Sequence, residues 1–132
     1  MTDVFVGRLM SSPVVTVTPE TPVREAAAVL LDREIGSLVV VDNDDAFVGI
    51  LTTTDFVRIT ADDAIGSTVD EYMTTDVTTA GANDSINDVA GRMIDGGFHH
   101  LPVVDEEAGV VGMLTTTDLT AYLSTIETPP SA

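Results

Sequence analysis

Hydrophobic positions along this chain change their spacing in a fixed order, and the order is run through twice. Val23, Ala26, Ala27, Leu30 and Leu31 fall at i, i+3, i+4, i+7 and i+8, the spacing of one apolar helix stripe. Ile86, Val89, Ala90, Met93 and Ile94 repeat it 63 positions later. Thr21 with Pro22 predicts a cap and a first residue for the earlier helix, and Asp84 predicts a cap for the later one. Gly36 and the pair Gly96-Gly97 predict where the two helices stop. Each stripe then gives way to a short unbroken apolar run, SLVVV at Ser37–Val41 and HLPVV at His100–Val104, as expected of a strand covered on both faces. Acidic clusters at Asp42–Asp45 and Asp105–Gly109 lead into FVGIL (Phe47–Leu51) and VVGML (Val110–Leu114), so each copy predicts a hairpin. Short helices over Asp55–Thr60 and Asp118–Ser124, brief strands near Val15–Val17 and Thr78–Ala80, and amphipathic turns at Val4–Met10 and Val69–Met73 complete the pattern.

The periodicity repeats because the sequence does. LTTTD stands at Leu51–Asp55 and again at Leu114–Asp118, and at this offset the alignment runs without a gap. Met10 meets Met73, Asp32 meets Asp95, Val40-Val41-Asp42 meets Val103-Val104-Asp105, and Gly49 meets Gly112. The expected class is therefore α+β: two β-α-β-β-α motifs, over residues 1–66 and 67–125, with a flexible tail over 126–132. A motif of about 60 residues can hardly bury a small sheet and two helices alone. Two copies packed face to face by a pseudo-two-fold can, and the groove between them is the expected ligand site.

Charge narrows the partners. The 132 residues carry 22 acids and 5 basic side chains, for a formal net charge of −17, and contain no lysine. Such a field repels nucleic acid and anionic membrane, so neither is expected as a partner. The acids are dispersed rather than gathered in a block, which suits a surface working in a high-salt cytoplasm, where self-repulsion is screened. The absence of cysteine removes disulfides, thiolate nucleophiles and cysteine metal sites. No apolar run reaches a membrane span and no signal peptide opens the chain, so a cytoplasmic location is expected.

The pentapeptide supports two readings on the same atoms. Thr-Thr-Thr-Asp at a strand-to-helix junction caps the helix, a hydroxyl accepting an orphan N–H and the aspartate lying at the positive end of the dipole. Free N–H groups and hydroxyls at a helix start also hold phosphate, while a carboxylate accepts hydrogen bonds from two neighbouring hydroxyls, as on a ribose. Together they suit a nucleotide better than a bare anion.

Here the sequence resembles the cystathionine-β-synthase (CBS) domains. The carriers are Gly-x-x-Thr-x-Thr-Asp at Gly49–Asp55 and Gly112–Asp118, the runs SLVVVD and HLPVVD, and the openings LMSSPVVTVTP and YMTTDVTTA. The resemblance covers about Val4 to Leu123 as two tandem copies and implies a regulatory module binding AMP, ADP or ATP, or S-adenosylmethionine. It implies one site from Met10, Val15, Ile35, Gly36, Thr115, Thr117 and Asp118. A second is implied from Thr52, Thr54, Asp55, Met73, Thr78, Phe98, His99 and His100. In that second site a histidine is expected at phosphate, with affinity rising as pH falls towards 6.5, and Arg58 is a further phosphate candidate. The alternative for both histidines is two partly exposed strand residues. They point to opposite faces, so a metal chelate is not expected. A homodimer through the apolar faces near Phe56–Ile59 and Leu119–Leu123 is also implied, with an effector protein that the sequence does not identify.

Enzymatic chemistry is not expected: the chain has no glycine-rich phosphate loop, no zinc-type helix motif and no nucleophile elbow. The competing readings are an adenine-nucleotide sensor needing no cofactor, a dimerisation scaffold with an empty groove, and an S-adenosylmethionine sensor.

Overall fold

The computed structural model describes residues 4–12 and 14–125; the expected tail over 126–132 lies outside them. The chain divides into two compact units, one made of residues 14–77 and the other of residues from 1–13 together with 78–132.

In the first unit the strand β1 (Thr16–Val17) leads through helix α2 (Val23–Arg33) to β2 (Ser37–Val41), β3 (Phe47–Thr52) and helix α3 (Thr53–Ala61). The sheet order is β1-β2-β3, parallel then antiparallel. A 3-10 turn, Val69–Glu71, follows, and Thr74 then bridges to Ile50 of β3. The core gathers Ala26, Leu30, Leu38, Val40, Leu51 and Val69, so the opening of the second sequence copy fills the core of the first.

The other unit is built in the same way. Helix α1 (Val6–Leu9) and Ser11, which bridges to Met113, come from the start of the chain. They join helix α4 (Ile86–Gly96), strands β4 (His100–Asp105) and β5 (Gly109–Thr115), and helix α5 (Thr116–Thr125). Val6 packs with Val89, Met93, Leu101, Val103 and Leu114. The lead segments are thus exchanged between the copies. Asp42 and Asp105 close the two hairpins by the same device: Asp42 Oδ1 accepts from the N–H groups of Asp44 and Ala46, and Asp105 Oδ2 from those of Glu107 and Ala108. Those two N–H groups hold the Asp105 carboxyl below the usual carboxylate range.

Several local expectations are corrected. Thr21 and Asp84 do not cap their helices. Thr21 Oγ1 accepts from the Thr18 N–H at 3.1 Å, and Asp84 Oδ2 from the Gly81 N–H at 2.9 Å, so both close the turn before the helix. Pro22 and Ser85 occupy the cap positions. The first long helix stops at Glu34, in the left-handed region at φ 55°, not at Gly36; its counterpart Gly97 has φ 69°. Leu31 and Ile94 are 81% and 79% exposed, outside the buried stripe. The strand expected at Thr78–Ala80 shrinks to a single bridge, Ala80 with Val103. Its cause is Pro102. In the first unit the equivalent Val39 donates its N–H to Val15 at 3.0 Å, whereas proline has no N–H to give.

Among the described residues no helix is long and apolar enough to cross a membrane.

Candidate functional site

The two copies of the pentapeptide sit where β3 becomes α3 and β5 becomes α5, because the strand's apolar run ends at the first threonine. In the first unit Thr52 caps α3: its N–H donates to Asp55 Oδ2 at 2.8 Å, completing a capping box. Asp55 is 2% exposed, the one buried charged side chain among the described residues. Its other oxygen, Oδ1, accepts from the guanidinium of Arg58 and from Thr74 Oγ1 at 3.4 Å.

In the other unit the same frame recurs with one change. The Thr115 N–H donates to Asp118 Oδ2 at 3.0 Å, and the Asp118 N–H donates to Thr115 Oγ1 at 3.0 Å. Ser11 Oγ donates to Asp118 Oδ1 at 3.1 Å. Position 121, which matches Arg58, holds alanine, and Asp118 is half-buried.

The structure brings Met10, Thr115, Thr117 and Asp118 into one unit, and Thr52, Thr54, Asp55 and Met73 into the other. Val15, Ile35 and Gly36 belong to the unit of Asp55, and Thr78, Phe98, His99 and His100 to that of Asp118. Thr54, Thr78, Thr117 and His99 are exposed, while Val15, Ile35 and Met73 pack on the first core and Met10 and Phe98 on the second. The carbonyls of Gly36 and His99 each accept a helix N–H, from Thr53 and Thr116, both at 3.1 Å. These carbonyls tie each helix start to the strand beside it.

His100 pairs across the hairpin with Thr115. Burial pushes its imidazole below the ordinary 6.5, His99 adds to this, and Asp118 opposes it. Its charged form therefore needs a lower pH than the sequence suggested. Its Nδ1 is buried with no hydrogen-bond partner among the described residues. No group of three or more His, Cys, Asp or Glu among those residues is placed to hold a metal ion.

Sequence reasoning missed three features. Arg58, expected as a phosphate candidate, pairs with Asp55 while its side chain stays largely exposed, and the i, i+3 spacing was the signal of that pair. The hydroxyls of Ser11 and Thr74 reach the aspartates from far along the chain, and only their shared offset of 63 hinted at it. An apolar cavity of about 500 Å³ lies between α4 and α5, walled by Ile86, Met93, Ile94, Phe98, Leu119 and Leu123. Neither Asp118 nor His100 lines it.

A family model described as CBS domain matches the chain twice, over residues 6–62 and 69–125. The chain is 32% identical over 123 residues to an uncharacterized 17.7 kDa protein in the bps2 3′ region of Acidianus ambivalens, covering 93% of this chain and 75% of that one. It is 30% identical over 119 residues to protein MJ1225 of Methanocaldococcus jannaschii, covering 89% of this chain but only 42% of that protein. Its structure matches the CBS domain pair of protein MJ0100, solved in complex with 5′-methylthioadenosine and S-adenosyl-L-methionine. The TM-score is 0.89 at 29% identity, over 96% of this chain and 100% of that one.

Proposed function

Because the chain belongs to the CBS domain family and carries two copies of the domain, we propose that it is a non-catalytic regulatory module that senses an adenosine-containing nucleotide: AMP, ADP or ATP. The observation that carries this reading is the paired aspartate at a helix start. Asp55 and Asp118 are each oriented by the N–H of a threonine three residues earlier, at 2.8 and 3.0 Å. A carboxylate fixed in this way presents acceptors to a vicinal diol, and the helix dipole offsets its charge. Thr52, Thr54, Thr115 and Thr117 supply hydroxyls towards ribose and phosphate. Met10 offers the base apolar contact beside Asp118, and Met73 beside Asp55. One of His99 and His100 meets phosphate, His100 contributing charge only at lowered pH. Occupancy is passed to an effector protein, and the chain works as a homodimer. Of the surfaces expected for that contact, Ile59 is buried within the chain, while Val57 and Leu123 are 67% and 62% exposed.

A second reading, an S-adenosylmethionine sensor, is supported by the ligands held by the MJ0100 pair. Calorimetry in molar KCl with AMP, ATP and S-adenosylmethionine separates the two. Heat is expected from the nucleotides, and it should vanish in the double variant Asp55→Ala with Asp118→Ala. Heat that survives both substitutions removes the aspartates from the ribose. Silence with every compound leaves a scaffold, and monomers alone in light scattering remove the dimer.

A further inference from the structure

We infer that Arg58 is a latch on Asp55, so that this chain takes its first adenosine ligand at Asp118 alone. The inference rests on the reading of both aspartates as diol acceptors. An ionised carboxylate offers about four lone-pair sites. At Asp55 all four have donors: the Thr52 N–H at 2.8 Å and Thr52 Oγ1 at 3.3 Å on Oδ2, and Arg58 and Thr74 Oγ1 on Oδ1. At Asp118 two have donors among the described residues, the Thr115 N–H on Oδ2 and Ser11 Oγ on Oδ1. Two acceptor sites remain there, the number a ribose diol needs.

The difference traces to one turn of helix. Arg58 stands three residues beyond Asp55, on the neighbouring helical position, and Ala121 stands three beyond Asp118. Asp55 is sealed, with a side chain 3% exposed, while that of Arg58 is 59% exposed and has solvent into which it can swing. Arg58 Nη2 also reaches the Tyr72 carbonyl at 3.4 Å, which holds the guanidinium across the carboxylate. A diol arriving at Asp55 must first displace this guanidinium; one arriving at Asp118 meets no charged partner of that carboxylate among the described residues.

The test is calorimetric stoichiometry in molar KCl with AMP and S-adenosylmethionine as probes, on chains whose folding is checked by circular dichroism. Wild type is expected to take one equivalent, lost in Asp118→Ala and kept in Asp55→Ala. Arg58→Ala and the bulkier Arg58→Gln should each raise it to two. Ala121→Arg, at an exposed position, should abolish it by closing the second carboxylate, and it decides the matter should both Arg58 variants fail to fold. Two equivalents in wild type, or one that persists in folded Arg58 variants or in Ala121→Arg, overturns the latch while leaving the functional reading intact. No heat from either probe with any variant overturns that reading and the latch with it.

Discussion

A Cβ on Gly49 would stand 2.6 Å from the carbonyl oxygen of Thr74, so β3 tolerates nothing larger than glycine where the exchanged lead segment crosses it. Thr74 is pinned there by two hydrogen bonds with Ile50, at 2.8 and 3.0 Å. Gly112 meets the same demand from Met10 and Ser11. Gly49→Ala is therefore expected to destabilise the chain by about 1–3 kcal/mol, since backbone must move to admit the methyl group. Urea denaturation in molar KCl measures it, and an unchanged midpoint contradicts the contact.

Glu34 holds a conformation that glycine holds in the other copy. At φ 55° a side chain crowds its own backbone, at a cost of about 1–2 kcal/mol. It also sets a negative charge at the negative end of a helix dipole. Glu34→Gly should raise the melting temperature by about 3–5 °C, on the scale of 1 kcal/mol for a domain of this size. Glu34→Asn should gain part of this. A fall in either variant shows that the side chain has a stabilising contact.

The lowered pKa of His100 sets a direction for stability against pH. The unfolded imidazole titrates near 6.5 and the folded one below it, so between those values the unfolded chain binds the extra proton. The stabilisation is complete above 6.5 and is lost as pH falls through the folded value. The urea midpoint should therefore drop more steeply below about pH 6.5 in wild type than in His100→Gln. Parallel curves contradict a buried neutral imidazole.

Net charge predicts the response to salt. At −17, folding concentrates like charge, and screening relieves it. Raising KCl from about 0.1 M to about 1 M shortens the Debye length from roughly 10 to 3 Å, so the denaturation midpoint should rise across that range. A flat response shows that the dispersed acids are already far enough apart.

Element order, both hairpins and the placement of the pentapeptides were legible because period and repetition are local signals. Details that depend on a competing hydrogen bond were not. Thr21 and Asp84 have cap chemistry, but a turn three residues earlier engages it. The buried stripe is narrower than the spacing implies: at 3.6 residues per turn, Leu31 lies about 110° from the centre of Val23, Ala26 and Leu30 and is exposed. The loss of a strand at Ala80 could have been read from Pro102. At the site the aspartates were legible from the motif. Their long-range partners were not, because Thr74 and Ser11 reach them across 19 and 107 positions.

The exchanged lead segments bear on how such a chain could be taken apart. A protease cutting between Asp62 and Ser67 would sever the two sequence copies, yet neither core would be complete on one fragment. Val6 would remain on the N-terminal piece while its neighbours Leu101 and Leu114 left with the other, and Val69 would be parted from Leu38 and Leu51. The nicked protein would then behave as a complementing pair, its halves migrating together until denaturant released them.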